Sequence, residues 1–258
     1  MKIHILKRVI KIKIIAVCLC CHLFLPAQDI AKDVLKLNEK YKEIDSISMK
    51  MQFILYKDYT SSVAFETVNG ILMKQNKNLY NSIATVESLT NSKYSLFIDN
   101  DSHIIIIGNV VKTDSTNNKK SKFNIDLNFS VESMSALVAS GFTIEEPPKF
   151  YFLKNSSDSI RALKVDLNYS DYESIECYYY PKTYIIKKII LYYRDAYEID
   201  ENGDTTKPRL EINYSNVDEK TMFNQDIFSE KKYVSISDKT VTGIGKYSKY
   251  KIVNNITK

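Results

Sequence analysis

Few side chains in this 258-residue chain are placed for covalent chemistry. His103 stands two residues after Asp101, a spacing at which a carboxylate can orient an imidazole. Both, however, adjoin the run Asp99, Asn100, Asp101, Ser102, which reads as an exposed turn. Cys177 alternates with Ile175 along an apolar stretch and reads as a small buried apolar residue. No GxSxG, HExxH, phosphate-loop or dinucleotide pattern occurs, and beyond residue 27 a single Cys, Cys177, and a single His, His103, form no metal-ligand cluster. An enzyme is therefore the weakest class, and no cofactor is expected.

The chemistry that does recur is the placing of apolar side chains. Ile30, Val34, Leu37, Tyr41 and Ile44 follow one another at helical spacing, so an α-helix gathers them into one stripe away from Lys32, Lys36, Glu39, Lys40 and Glu43. The period then becomes two. Ile47, Met49, Met51, Phe53 and Leu55 alternate with Ser46, Ser48, Lys50 and Gln52, which is a strand with one buried face. Helix and strand must share an apolar space. Val63, Phe65, Ile71 and Met73 form one further alternating set, with a bend or bulge at Asn69 and Gly70. Leu127, Val131, Met134 and Val138 predict a second amphipathic helix that ends at Gly141. Methionine adapts to ligands of varied shape, so these sets suit either a core or an apolar pocket.

Targeting and charge narrow the choice. Lys2, Lys7, Arg8, Lys11 and Lys13 precede an apolar run from Ile14 to Leu25, so residues 1–27 read as a secretory signal cleaved after Ala27. The run is shorter than the roughly 20 apolar residues that span a bilayer. No small residue precedes Cys18, Cys20 or Cys21, as lipid attachment would require. Without the signal, 31 basic residues face 31 acidic ones, and nothing suggests nucleic acid. Cys177 then stands alone, which excludes an internal disulfide.

Along the rest of the chain, strands are expected at 79–86, 93–98 and 103–111, the last apolar on both faces through Ile104 to Ile107. A lysine-rich loop is expected at 112–122. Further strands are expected at 149–154, 160–169, 175–180, 184–199 and 209–214, with Asn202 and Gly203 marking a hairpin turn. Short turns between successive strands predict an antiparallel meander and an α+β, mostly β, single domain. Tyr178, Tyr179, Tyr180, Tyr184, Tyr192, Tyr193 and Tyr197 suggest a half-exposed sheet surface.

The order of these parts resembles the LolA family, periplasmic carriers of outer-membrane lipoproteins. The resemblance is carried by the helix-to-strand passage ending in Asp45 to Phe53, the Gly70 to Tyr80 strand pair, the Asp99 to Ile106 turn and strand, and Asp226, Ile227, Phe228. It implies a curved, incompletely closed antiparallel barrel covered by amphipathic helices, spanning 28–234. It also implies that lipoprotein acyl chains lie between sheet and lid, against Ile30, Val34, Leu37, Tyr41, Met49, Met51, Phe53, Leu55, Met73, Val131, Met134 and Val138. The implied partners of such a monomer are an inner-membrane lipoprotein-releasing ABC transporter and an outer-membrane acceptor. Two features depart from the family. Near Asn76, between Lys74 and Lys77, the family's lid-controlling arginine is missing. Residues 235–258 form a polar extension in which Thr242, Gly243, Gly245 and Lys246 suggest a loop. The alternative is an envelope interaction module with a filled core, acting through its tyrosine-rich face and this extension.

Overall fold

The computed structural model describes residues 30–110, 149–154, 157, 159–167, 171–198, 205–238 and 240–256. A helix, α1, occupies residues 30–43. The strands are β1 Ser46–Tyr56, β2 Glu66–Gln75, β3 Asn78–Ile83, β4 Val86–Thr90, β5 Tyr94–Asp99, β6 Ile104–Asn109, β7 Lys149–Phe152, β8 Arg161–Asp166, β9 Tyr172–Tyr180, β10 Ile185–Tyr193, β11 Tyr197–Glu198, β12 Thr205–Thr206, β13 Arg209–Asp218, β14 Val234–Ser237, β15 Thr240–Gly243 and β16 Lys251–Asn255. Twelve of them form one curved, open sheet in the order β16-β6-β5-β4-β3-β2-β1-β13-β10-β9-β8-β7. The architecture is mostly β.

Register divides this sheet into two faces with different covers. On the inner face Phe53 stands opposite Ile212, Ile212 opposite Ile189, Ile189 opposite Cys177 and Cys177 opposite Leu163. α1 lies on this row, with Leu37 only 2% exposed and Ile30, Val34 and Tyr41 packed beside it. Fully burying one such aliphatic side chain is worth about 1.5–3 kcal/mol, so the stripe rather than helix propensity holds α1 in place.

The outer face is covered elsewhere. Leu89, Leu96, Ile98, Ile105 and Ile107 meet Tyr233, Val234 and Tyr247 from the last part of the chain. This accounts for the four consecutive isoleucines. Ile105 and Ile107 are fully buried on the outer face, while Ile104 and Ile106 point inward and stay half-buried.

Several expectations change. The bend at Asn69 and Gly70 is absent, since β1 and β2 pair without a break from Ser46↔Gln75 to Leu55↔Glu66. Gly70 answers a different need. A β-carbon there would sit 2.8 Å from the Ser82 carbonyl oxygen of β3. Val63 and Phe65 precede β2 in an exposed connection. The strand expected at 79–86 is two, β3 and β4, separated by Ala84 and Thr85. β11 and β12 pair on either side of the expected hairpin turn, which itself lies outside the described residues, as does the loop at 112–122. The meander is also incomplete, because β16 runs parallel to β6. Thr242, Gly243, Gly245 and Lys246, expected as a loop, fall in β15 and in a 3₁₀ turn at Gly245–Tyr247.

Candidate functional site

α1 is fixed to the sheet by a buried carboxylate. Asp33 is 2% exposed, an arrangement that costs several kcal/mol unless the charge is paired and hydrogen-bonded. It receives hydrogen bonds from Arg161 Nη1 at 2.5 Å, from the Tyr179 hydroxyl at 2.5 Å and from the Tyr184 hydroxyl at 3.0 Å. The bond to Asp33 holds the Arg161 guanidinium above its ordinary pKa, and burial followed by the same carboxylate raises the Tyr179 phenol. Further anchors follow toward the helix end. The Tyr41 hydroxyl accepts from the Ile186 backbone N–H at 2.9 Å, Lys40 pairs with Glu219 at 2.7 Å, and Lys74 Nζ donates to the Tyr41 carbonyl at 3.3 Å. Thus a cation of β2 reaches the helix.

Beneath the middle of α1 the apolar space is filled. Ile30, Val34, Leu37 and Tyr41 share one continuous cluster with Leu163, Tyr179, Ile186, Ile189 and Phe53. Open space begins where the sheet splits. β10 and β13 pair only from Lys188↔Asn213 to Tyr192↔Arg209, although β10 starts at Ile185 and β13 runs on to Asp218. Each strand carries an irregularity beside the split. The β9–β10 ladder shifts between Ile186 and Lys188, and the β1–β13 ladder shifts opposite Asn216, whose φ is +50°. Bulges increase twist and turn a strand away from its neighbour, and asparagine tolerates the left-handed conformation better than most residues.

Between the parted strands lies an open cleft of about 820 Å³, lined by Tyr180 to Thr183, Ile185, Ile186, Tyr214 to Val217, Ser159 and Glu219. Its floor is shared with a second core cluster, in which Ile185 packs with Ile44, Ile47, Met49 and Met51, and Tyr214 and Val217 lie against them. Burial raises the phenol pKa of both Tyr41 and Tyr214, so both stay neutral. An apolar lane continues from this floor along the inner face. Met49 stands opposite Leu72, Met51 opposite Gly70, Gly70 opposite Ile83 and Ile83 opposite Val86; Val86 then faces Asp99, and the lane resumes two residues along β5 with Phe97 opposite Ile106, the four side chains from Ile83 to Ile106 being half-buried. From β13 to β6 the lane crosses six inter-strand steps, roughly 29 Å along the arc.

The structure therefore gathers Ile30, Val34, Leu37, Tyr41, Met49, Met51 and Phe53 on one face, with Leu55 further along β1 opposite Leu210. Met73 is a correction. It pairs with Ser48 and Tyr80, which puts it on the outer face, and Leu72 takes the inward place. Val131, Met134 and Val138 lie outside the described residues. The cleft residues Ile185, Ile186, Tyr214 and Val217 were not singled out from sequence, where only the alternation of Ile212 with Tyr214 hinted at an inward face.

His103 is an exposed turn residue with φ +55°, its Nδ1 2.9 Å from the Asp101 carbonyl and its ring 4.9 Å from that of Tyr250. Among the described residues no three His, Cys, Asp or Glu side chains converge as metal ligands, and no helix is long and apolar enough to cross a membrane.

No family model and no curated protein matches the chain. It is similar to several solved structures. One is an uncharacterized conserved protein from Thermus thermophilus, with 8% identity over 89% of this chain and 99% of that one and a TM-score of 0.44. Another is a LolA superfamily protein from Nitrosomonas europaea, with 12% identity over 77% and 98% and a TM-score of 0.31. A third is the MucA/MucB complex of Pseudomonas aeruginosa, with 8% identity over 78% of this chain and 60% of that one and a TM-score of 0.40.

Proposed function

We propose that the protein is an exported, monomeric carrier that shields lipoprotein acyl chains and moves them toward the outer membrane without covalent chemistry. The observation that carries this reading is the cleft between β10 and β13, whose lining residues Ile185, Tyr214 and Val217 pack on the methionine-bearing cluster of β1. Transfer of hydrocarbon out of water is worth about 0.8 kcal/mol per CH₂, or about 12 kcal/mol for a 16-carbon chain. A carrier therefore needs a large apolar surface that is not already consumed by its own packing. The cleft volume lies within the roughly 300–1,000 Å³ of small-molecule sites, and the half-buried lane extends the surface beyond it. Met49 and Met51 suit a cargo whose chains vary in length.

On this reading Ile185, Ile186, Tyr214 and Val217 line the mouth, Met49, Met51 and Phe53 the floor, and Ile30, Val34, Leu37 and Tyr41 the wall that keeps α1 seated. An inner-membrane lipoprotein-releasing ABC transporter and an outer-membrane acceptor are the partners that the sequence resemblance implies. Delipidated mature protein should take up one dansylated palmitoyl peptide per chain, and protein purified natively from the periplasm should bring lipid with it. Failure to bind either the peptide or an apolar dye overturns the reading.

One observation favours a second reading, an envelope interaction module. The space between the middle of α1 and β8–β10 is filled by the protein's own side chains. Such a module would bind a protein partner through its outer face and leave the palmitoyl peptide in solution.

A further inference from the structure

The loop from Pro181 to Tyr184 joins β9 to β10, and its Thr183 and Tyr184 amides donate to the Tyr180 carbonyl at 3.2 and 2.7 Å. Tyr184 closes the loop with φ at +57°. Hairpin loops that end in the left-handed region ordinarily place glycine there, because a β-carbon crowds the backbone. A bulky aromatic residue persists in such a conformation only where surrounding contacts over-determine it.

Those contacts come from α1. The Tyr184 hydroxyl donates to Asp33 Oδ1 at 3.0 Å, and the Lys36 ammonium sits 5.3 Å from the Tyr184 ring centroid. The ring also stacks on Tyr179, whose own hydroxyl is bound to the same carboxylate, at 5.9 Å and 18°. Pro181, Lys182 and Thr183 of this loop form one wall of the cleft. The helix therefore reaches the cleft wall through one strained residue.

We propose that Tyr184 is a positioning residue for the cleft: its bond to Asp33 holds the β9–β10 loop against the opening, and loss of the bond lets a bound apolar chain leave faster. This rests on the reading of the cleft as the binding site, which deepens the carrier proposal by assigning the element that retains the cargo.

Tyr184→Phe removes the hydroxyl alone. The stacking on Tyr179 is kept, and Asp33 keeps Arg161 and Tyr179, so the fold is retained. Two measurements on the mature chain test the proposal. The first is the release rate of dansylated palmitoyl peptide by stopped flow, expected to rise about tenfold in Tyr184→Phe, with the melting temperature lowered by only a few degrees, as the loss of one hydrogen bond requires. The second is hydrogen exchange of the amides of Lys182 to Ile186 without ligand, expected to be faster in the variant. Release at the wild-type rate, or an equal rise in Tyr233→Phe, which loses a phenol–carboxylate bond away from the cleft, overturns the proposal. Should the wild-type chain take up no peptide, the carrier reading falls, and unchanged exchange in Tyr184→Phe then overturns the loop assignment independently.

Discussion

Val217 shows how a single side chain tests the cleft without disturbing the core. It lines the opening, packs on the edge of the Met49 and Met51 cluster, and remains only half-buried. A charge placed there keeps access to water, so Val217→Asp should change the urea midpoint little, as partly exposed substitutions usually do. Palmitoyl-peptide affinity, titrated by dansyl fluorescence, should fall at least tenfold in the same variant. Cys177 lies at the other extreme. At 1% exposure, with burial pushing its thiol up to about 12, it is core rather than a reactive group, as its alternation with Ile175 suggested. Residue-level reading succeeded where one strand's alternation was clean, as in Met49 and Met51. It failed for Met73, because both Leu72 and Met73 are apolar and a shift of one residue exchanges the faces. Only pairing with Ser48 and Tyr80 decides which of the two points inward.

At the scale of elements, the stripe of α1 was legible and its anchor was not. Ile30, Val34, Leu37 and Tyr41 announce a buried helix face, whereas nothing local marks Asp33 as buried, because its partners lie on β8, β9 and the loop before β10. Asp33→Ala leaves the Tyr179 hydroxyl and the Arg161 guanidinium without their acceptor. Since Arg161 is 40% exposed and rehydrates, the expected loss is about 2 kcal/mol rather than the larger cost of a fully buried pair, measurable by urea unfolding. A half-buried carboxylate ties down the last part of the chain. Glu87 receives hydrogen bonds from Tyr233 at 2.8 Å and Tyr80 at 3.0 Å. Burial raises its pKa, but the bonds from Tyr233, Asn100 and Tyr80 outweigh this and leave the carboxyl below its ordinary 4.5. A lowered folded-state pKa stabilises the protein above the unfolded value and loses that contribution as pH falls through the folded value. The urea midpoint should therefore drop as pH falls below about 4.5, and Glu87→Gln should reduce this drop by removing the titration.

For the whole molecule, the decisive event is the pairing of β1 with β13, which brings Met51 beside Tyr214 and makes one sheet of two separate runs of strands. Short turns made the strands and the mostly β class readable, and the order of parts carried the family resemblance. The closure is a long-range contact with no local signature, so the cleft beside it could not be read from sequence. The same holds for the last part of the chain. Thr242, Gly243, Gly245 and Lys246 suggested a loop there, yet Tyr247 joins Tyr233 and Val234 in covering the outer face, and β16 extends the sheet.

The central claim is that an acyl chain lies between β10 and β13. The most direct test is to bind a palmitoyl peptide carrying a photoreactive diazirine on its chain to the delipidated mature protein, irradiate, and map the adducts by mass spectrometry. Adducts on Ile185, Ile186 and Tyr214 to Val217, competed away by unlabelled palmitoyl peptide, are the expected result. Absence of binding, or adducts confined to the outer face, would contradict the account.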